Sequence, residues 1–163
     1  SLYNASRSGV KIQLIVRGVC CLIPGVKGMS ENIEVISVVD KFLEHTRLMI
    51  FENDGNPHVF ISSADWMGRN LDKRIEVSMP VLDKKLISEL RSYLALQWSD
   101  NLKSRIINID QTNPYYKEGK TPINVQQCRY EELKELLLEK RIKNFNDPRY
   151  TNQKYLEIFK ENI

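Results

Sequence analysis

An α/β fold is predicted by three features of this 163-residue chain. A short helical segment passes through a glycine directly into a nearly continuous apolar, β-rich run. Several further β-rich runs follow, separated by clusters of turn residues. Beyond them lies an amphipathic helix opened by a capping aspartate. With 42% apolar residues the chain can bury a core, and its length suits one domain, or one domain with an extension.

The elements are expected in the following order. Residues 2–7 form the tail of a helix closed by Gly9, and a chain that starts inside a helix is expected to be cut from something longer. Residues 11–16, Lys-Ile-Gln-Leu-Ile-Val, form a buried strand. Strands are expected at 33–38, 48–51 and 59–62, the last two joined by the hairpin turn Asn53-Asp54-Gly55-Asn56-Pro57. Another strand, 74–79, is expected to end at Pro80. Asp83 caps a helix running to about Trp98, with Leu86, Leu90, Tyr93, Leu94 and Gln97 on one face. Periodicity weakens over 100–127, where Asn113-Pro114 and Thr121-Pro122 read as loops. A second amphipathic helix, about 130–143, carries Leu133, Leu136, Leu137 and Leu138.

The net charge of +3 comes from interspersed Lys and Glu, so no basic block points to nucleic acid. Cys20, Cys21 and Cys128 have neither a disulfide nor a zinc spacing, which fits a reducing cytoplasm. No apolar run approaches the length of a membrane span.

The chemistry concentrates in two segments, Phe42-Leu43-Glu44-His45-Thr46-Arg47 and Ser62-Ser63-Ala64-Asp65-Trp66-Met67-Gly68-Arg69-Asn70. In an extended segment His45 and Arg47 share a face, and that pair suits a phosphoryl group. Arg17 follows the first strand, at the carboxyl end where α/β sheets hold ligands, and Gly18 leaves room beside it. The competing reading of Arg17 is an ion pair with Glu31 or Glu34. Asp65 and Glu76 read as structural partners of Arg69 or Arg74. Ser62 and Ser63 read as phosphate donors or as turn caps.

His45-x-Arg47, Glu52 five residues on, and Ser62-Ser63-Ala64-Asp65 resemble the His-x-Lys-(x)4-Asp…Gly-Ser-x-Asn pattern of the phospholipase D superfamily. The longer text is more specific. Residues 14–22, Gly28-Met29-Ser30-Glu31-Asn32-Ile33, residues 42–47 and residues 63–77 closely resemble, in order and register, the C-terminal catalytic domain of the histidine-phosphorylated bacterial polyphosphate kinase family.

That resemblance implies a phospholipase-D-like mixed sheet flanked by helices over residues 1–100. It leaves 101–163 as a C-terminal extension of loops and an amphipathic helix packing on the same domain. It also implies an activity, reversible transfer of the γ-phosphate of ATP to inorganic polyphosphate through a phosphohistidine on a preceding domain. Residue by residue, it makes Arg17 and His45 the ATP and phosphate contacts, with His45 catalytic, and Arg47, Arg69 and Arg74, with Lys73 nearby, a polyphosphate path. ATP and ADP are substrates, and the Mg2+ ligands are expected outside this chain, which has no metal residue of its own. The expected partners are the remaining domains of the parent chain and further copies of the enzyme, in the cytoplasm or peripheral to the inner membrane, without nucleic acid or a transmembrane segment. By itself the fragment is expected to be inactive. Two other classes fit part of the text: half of a phospholipase-D-type phosphodiesterase or nuclease, and a non-catalytic polyanion-binding module.

Overall fold

The structure, a computed structural model, describes residues 1–117 and 121–138, the last three of these by their backbone. Its first element is α1 (Leu2–Arg7), followed by β1 (Ile12–Ile15) and β2 (Ile33–Val38), which pair in parallel. The link between them is an irregular loop held by the buried Ser30. Its hydroxyl donates to the Ile23 carbonyl at 2.6 Å and accepts from the Val26 N–H. Asn32 binds the backbone and hydroxyl of Ser6, which ties the start of β2 to α1.

β2 is the centre of the first sheet. Val35 and Ile36 are neighbours in sequence, point to opposite faces and are both buried, so both faces of the strand are covered. Ile36 and Val38 pack with Val125, Ile15, Leu96 and Trp98 in an apolar core cluster. On its other side β2 pairs antiparallel with β6 (Ser104–Ile106). This mixed sheet matches the α/β expectation, but β6 lies in the stretch where sequence periodicity faded. A strand of three residues with two exposed is too short to show alternation. Its position is fixed instead by Asp100, fully buried, whose Oδ1 accepts from the N–H groups of Leu102, Lys103 and Ser104 while Oδ2 accepts from that of Val125.

The second sheet is a meander of β3 (Leu48–Phe51), β4 (His58–Ser62) and β5 (Ser78–Val81). The β3–β4 turn falls where Asn53-Asp54-Gly55 predicts it, and these three residues take positive φ of 43, 50 and 83°. Asn, Asp and Gly are the residues that tolerate that region. β5 begins four residues later than expected and includes Pro80, whereas residues 74–77 are irregular. Proline is admissible there because β5 is an edge strand, paired only with β4.

Three further helices complete the described fold. Between β4 and β5 lies the single turn α2 (Gly68–Leu71). Asp83 opens α3 (Lys84–Trp98) as predicted, its Oδ1 accepting from the N–H groups of Lys85 and Leu86. Leu86 is exposed rather than packed, and the most buried residue of the helix is Gln97. α4 (Val125–Leu138) starts five residues before the expected position, and the expected continuation to 143 lies outside the described residues. The chain forms two compact units, Ser1–Gln126 and Gln127–Ile163, so β6 belongs to the first. Among the described residues no helix is long and apolar enough to cross a membrane.

Candidate functional site

The register of the β3–β4 hairpin builds the site. Leu48 pairs with Ile61, and the Ser62 N–H donates to the Arg47 carbonyl at 2.9 Å. The residues entering β3 therefore lie beside those leaving β4, and His45-Thr46-Arg47 meets Ser63-Ala64-Asp65. Arg47 Nε donates to Asp65 Oδ1 at 2.9 Å.

Two more guanidinium groups approach the same carboxylate. Arg17 Nη2 is 3.8 Å from Oδ1, and Arg69 Nη2, four residues along the chain, is 3.7 Å from Oδ2. Three cations around one anion leave a surplus of two positive charges. The Arg47 hydrogen bond, with the charges of Arg47, Arg17 and Arg69, holds the Asp65 carboxyl below its usual pKa against the opposing effect of desolvation. Arg17 and Arg69 stand beyond hydrogen-bonding distance of Asp65. Among the described residues the Arg17 guanidinium donates to no protein acceptor, so its fork is open to an external anion.

His45 sits on this cluster. Its Nε2 is 3.0 Å from Arg47 Nη2 and its Nδ1 3.4 Å from Nη1. A guanidinium only donates and a neutral imidazole has one acceptor nitrogen, so at most one of these contacts is a hydrogen bond. The histidine is exposed, while Arg47 beneath it is four-fifths covered.

A second carboxylate closes the turn behind the site. Glu76 accepts from the Ser63 hydroxyl and, at 2.7 Å, from Asn70 Nδ2. These two bonds, then the charges of Arg74 and Arg47, lower its pKa. Ser62 Oγ accepts from the Ala64 N–H, and the Val77 N–H donates to Ser63 Oγ at 3.0 Å, so both serines shape the turn.

Several expectations change here. The acid facing Arg17 is Asp65, not Glu31 or Glu34, which are engaged by the Gly28 N–H and by Gln13. Glu52, in the aspartate place of the phospholipase D pattern, pairs with Arg91 at 2.8 Å instead of joining His45. Arg17, His45, Arg47 and Arg69 come together. Arg74 is exposed and acts through its charge on Glu76. Among the described residues no three His, Cys, Asp or Glu side chains converge to hold a metal ion, and Asp65 is ringed by cations, so these residues do not fit Mg2+.

The polar anchors of the histidine segment were not read from the sequence. Gln126 Oε1 accepts from the Phe42 N–H, and its Nε2 donates to the Phe42 carbonyl, each at 2.7 Å. Glu44 accepts from Tyr93 and Gln97 of α3. The available signal was Gln97 itself, a glutamine on the apolar face of a helix.

The model of polyphosphate kinase C-terminal domain 2 matches residues 1–126. The chain belongs to that family. The polyphosphate kinase of Vibrio cholerae is 46% identical over 152 residues, 93% of this chain and 21% of the relative. That of Staphylococcus epidermidis is 47% identical over 131 residues, covering 80% and 18%. The crystal structure of polyphosphate kinase from Porphyromonas gingivalis superposes with a TM-score of 0.78 at 47% identity, covering 82% of this chain and 20% of that one. The chain thus spans about a fifth of the polyphosphate kinases it matches. Every residue of the Asp65 cluster, and His45, falls inside the stretch matched by the polyphosphate kinase domain.

Proposed function

We propose that this chain supplies half of the active site of a polyphosphate kinase, which moves the γ-phosphate of ATP reversibly onto inorganic polyphosphate through a phosphohistidine on another domain of the parent chain. The observation that carries the reading is the convergence of Arg17, Arg47 and Arg69 on Asp65, beside His45, in a member of this family.

Phosphoryl transfer asks a protein mainly for positioning and for charge that stabilises the transferring oxygens. Arg17 offers an open bidentate fork to the nucleotide phosphates. His45, at the exposed edge of the cluster, donates or accepts a proton at the transferring group opposite the phosphohistidine. Arg47, already committed to Asp65, stiffens the site and adds charge. Arg69 and the outlying Arg74 extend the positive surface along which polyphosphate passes. Charge neutralisation by Mg2+ would come from ligands outside this chain. The parent enzyme is cytoplasmic and assembles as a homo-oligomer. In this reading residues 1–100 carry the site, and the fragment alone binds phosphate weakly and does not turn over.

The test is the reaction class. The full-length protein containing this segment is incubated with ATP, Mg2+ and short polyphosphate, and separately with a model phosphodiester. Chain growth with ADP release supports the proposal. Hydrolysis of the diester without chain growth overturns it.

A further inference from the structure

The segment that carries His45, residues 43–47, lies outside both sheets, and among the described residues the one backbone bond that ties it to a strand is that from the Ser62 N–H to the Arg47 carbonyl at its end. Its side chains instead divide by parity. His45 and Arg47 meet each other and the Asp65 cluster. Glu44 and Thr46 turn the other way and meet the Tyr93 hydroxyl of α3, at 2.8 and 3.4 Å. Both flanks of the histidine thus rest on one phenol.

Glu44 is the centre of this anchorage. Its Oε2 accepts from Tyr93 and, at 3.1 Å, from Gln97 Nε2, which also donates to the Tyr93 oxygen at 2.9 Å. Its Oε1 accepts at 3.0 Å from Gln126 Nε2. Gln97 and Gln126 are themselves buried, so neither amide is free to swing. The half-buried carboxylate therefore has three donors from two different helices. It is adjacent in sequence to the exposed imidazole.

We infer that Glu44 is a positioning residue for His45: the Glu44–Tyr93–Gln97–Gln126 cluster fixes the backbone that aims the imidazole at the phosphate held by the arginines. This rests on the proposed role of His45. Beyond its contacts with Arg47, the exposed histidine relies on this anchorage of its irregular backbone to keep one orientation, and small misplacements of a reacting group cost rate far more than binding.

The test uses full-length enzyme carrying Glu44→Ala or Tyr93→Phe, each alone and combined with His45→Ala. Folding is checked by circular dichroism, and kcat and KM for ATP are measured separately. The inference expects each single variant to lower kcat by ~10-fold or more with KM nearly unchanged. In the His45→Ala background the same changes should have no further effect, because Glu44 acts through His45. An unchanged kcat, or an equal additional loss in the His45→Ala background, overturns the inference while leaving the role of His45 intact. Full activity of His45→Ala overturns the proposed function, and this inference with it. If Glu44→Ala does not fold, Tyr93→Phe, which deletes one hydroxyl and keeps the ring, decides by the same criteria.

Discussion

Arg47 and Asp65, eighteen residues apart, are joined by a 2.9 Å hydrogen bond across the open end of the β3–β4 hairpin. The hairpin register makes the contact, and the contact gathers Arg17 and Arg69 into one cationic surface. Removing the acid tests whether order or charge matters more. Asp65→Ala makes the site more positive yet releases three guanidinium groups that repel one another. The expected result is a ~10-fold fall in kcat/KM for ATP in the full-length enzyme, since catalysis depends on placed charge. A rise would mean that net charge dominates.

Acid should loosen this region first. Asp65 and Glu76 have folded-state pKa values below the ordinary 3.8 and 4.5. Their stabilising contribution is complete above those ordinary values and is lost as pH falls through the lowered ones. Tm should therefore stay level from neutral pH to about 5 and fall below about 4. A variant carrying Asp65→Asn and Glu76→Gln should show a shallower fall.

Asp100 carries more of the fold than any single apolar contact near it. Asp100→Ala leaves four backbone N–H groups without their acceptor, two of them buried, and should cost about 3 kcal/mol or more in chemical denaturation. Asp100→Asn keeps one oxygen for residues 102–104 but turns an amide N–H toward that of Val125, so its loss should be intermediate.

Gln126→Ala removes both backbone bonds to Phe42 and one to Glu44. A loss of about 2 kcal/mol is expected, measured by urea unfolding. Hydrogen exchange should report faster opening of residues 42–46 than of β2.

Arg69→Ala and Arg74→Ala should raise the KM for polyphosphate by a few-fold at low ionic strength, with the difference from wild type shrinking as salt is added. An effect independent of salt would place both side chains off the polyphosphate path.

Local signals made much of the fold legible. β2 was readable because four of its six residues, Ile33, Val35, Ile36 and Val38, are β-branched and apolar, and α3 because Asp83 precedes a periodic stripe. Turn chemistry located Asn53-Asp54-Gly55. β5 was misplaced because Pro80 ends a central strand but not an edge strand, and β6 was invisible because it is short and held by a buried carboxylate rather than by an apolar face. In the site, the pairing of His45 with Arg47 was legible from their alternate spacing, while the placement of Arg17 and Arg69 beside them came from the family text. Asp65 was legible as a partner of Arg69 but not as the hub that also gathers Arg17 and Arg47, and Gln126 acts on residues more than eighty positions away. Long-range polar partners leave no periodic trace in a sequence.

The central claim is that Arg17 and His45 engage the transferring phosphate. ATP-dependent polyphosphate synthesis by the full-length enzyme, comparing wild type with folded Arg17→Ala and His45→Ala, tests it most directly. Loss of most activity is expected in both, by ~100-fold or more for His45→Ala. Wild-type rates in both folded variants would contradict it and place the chemistry elsewhere.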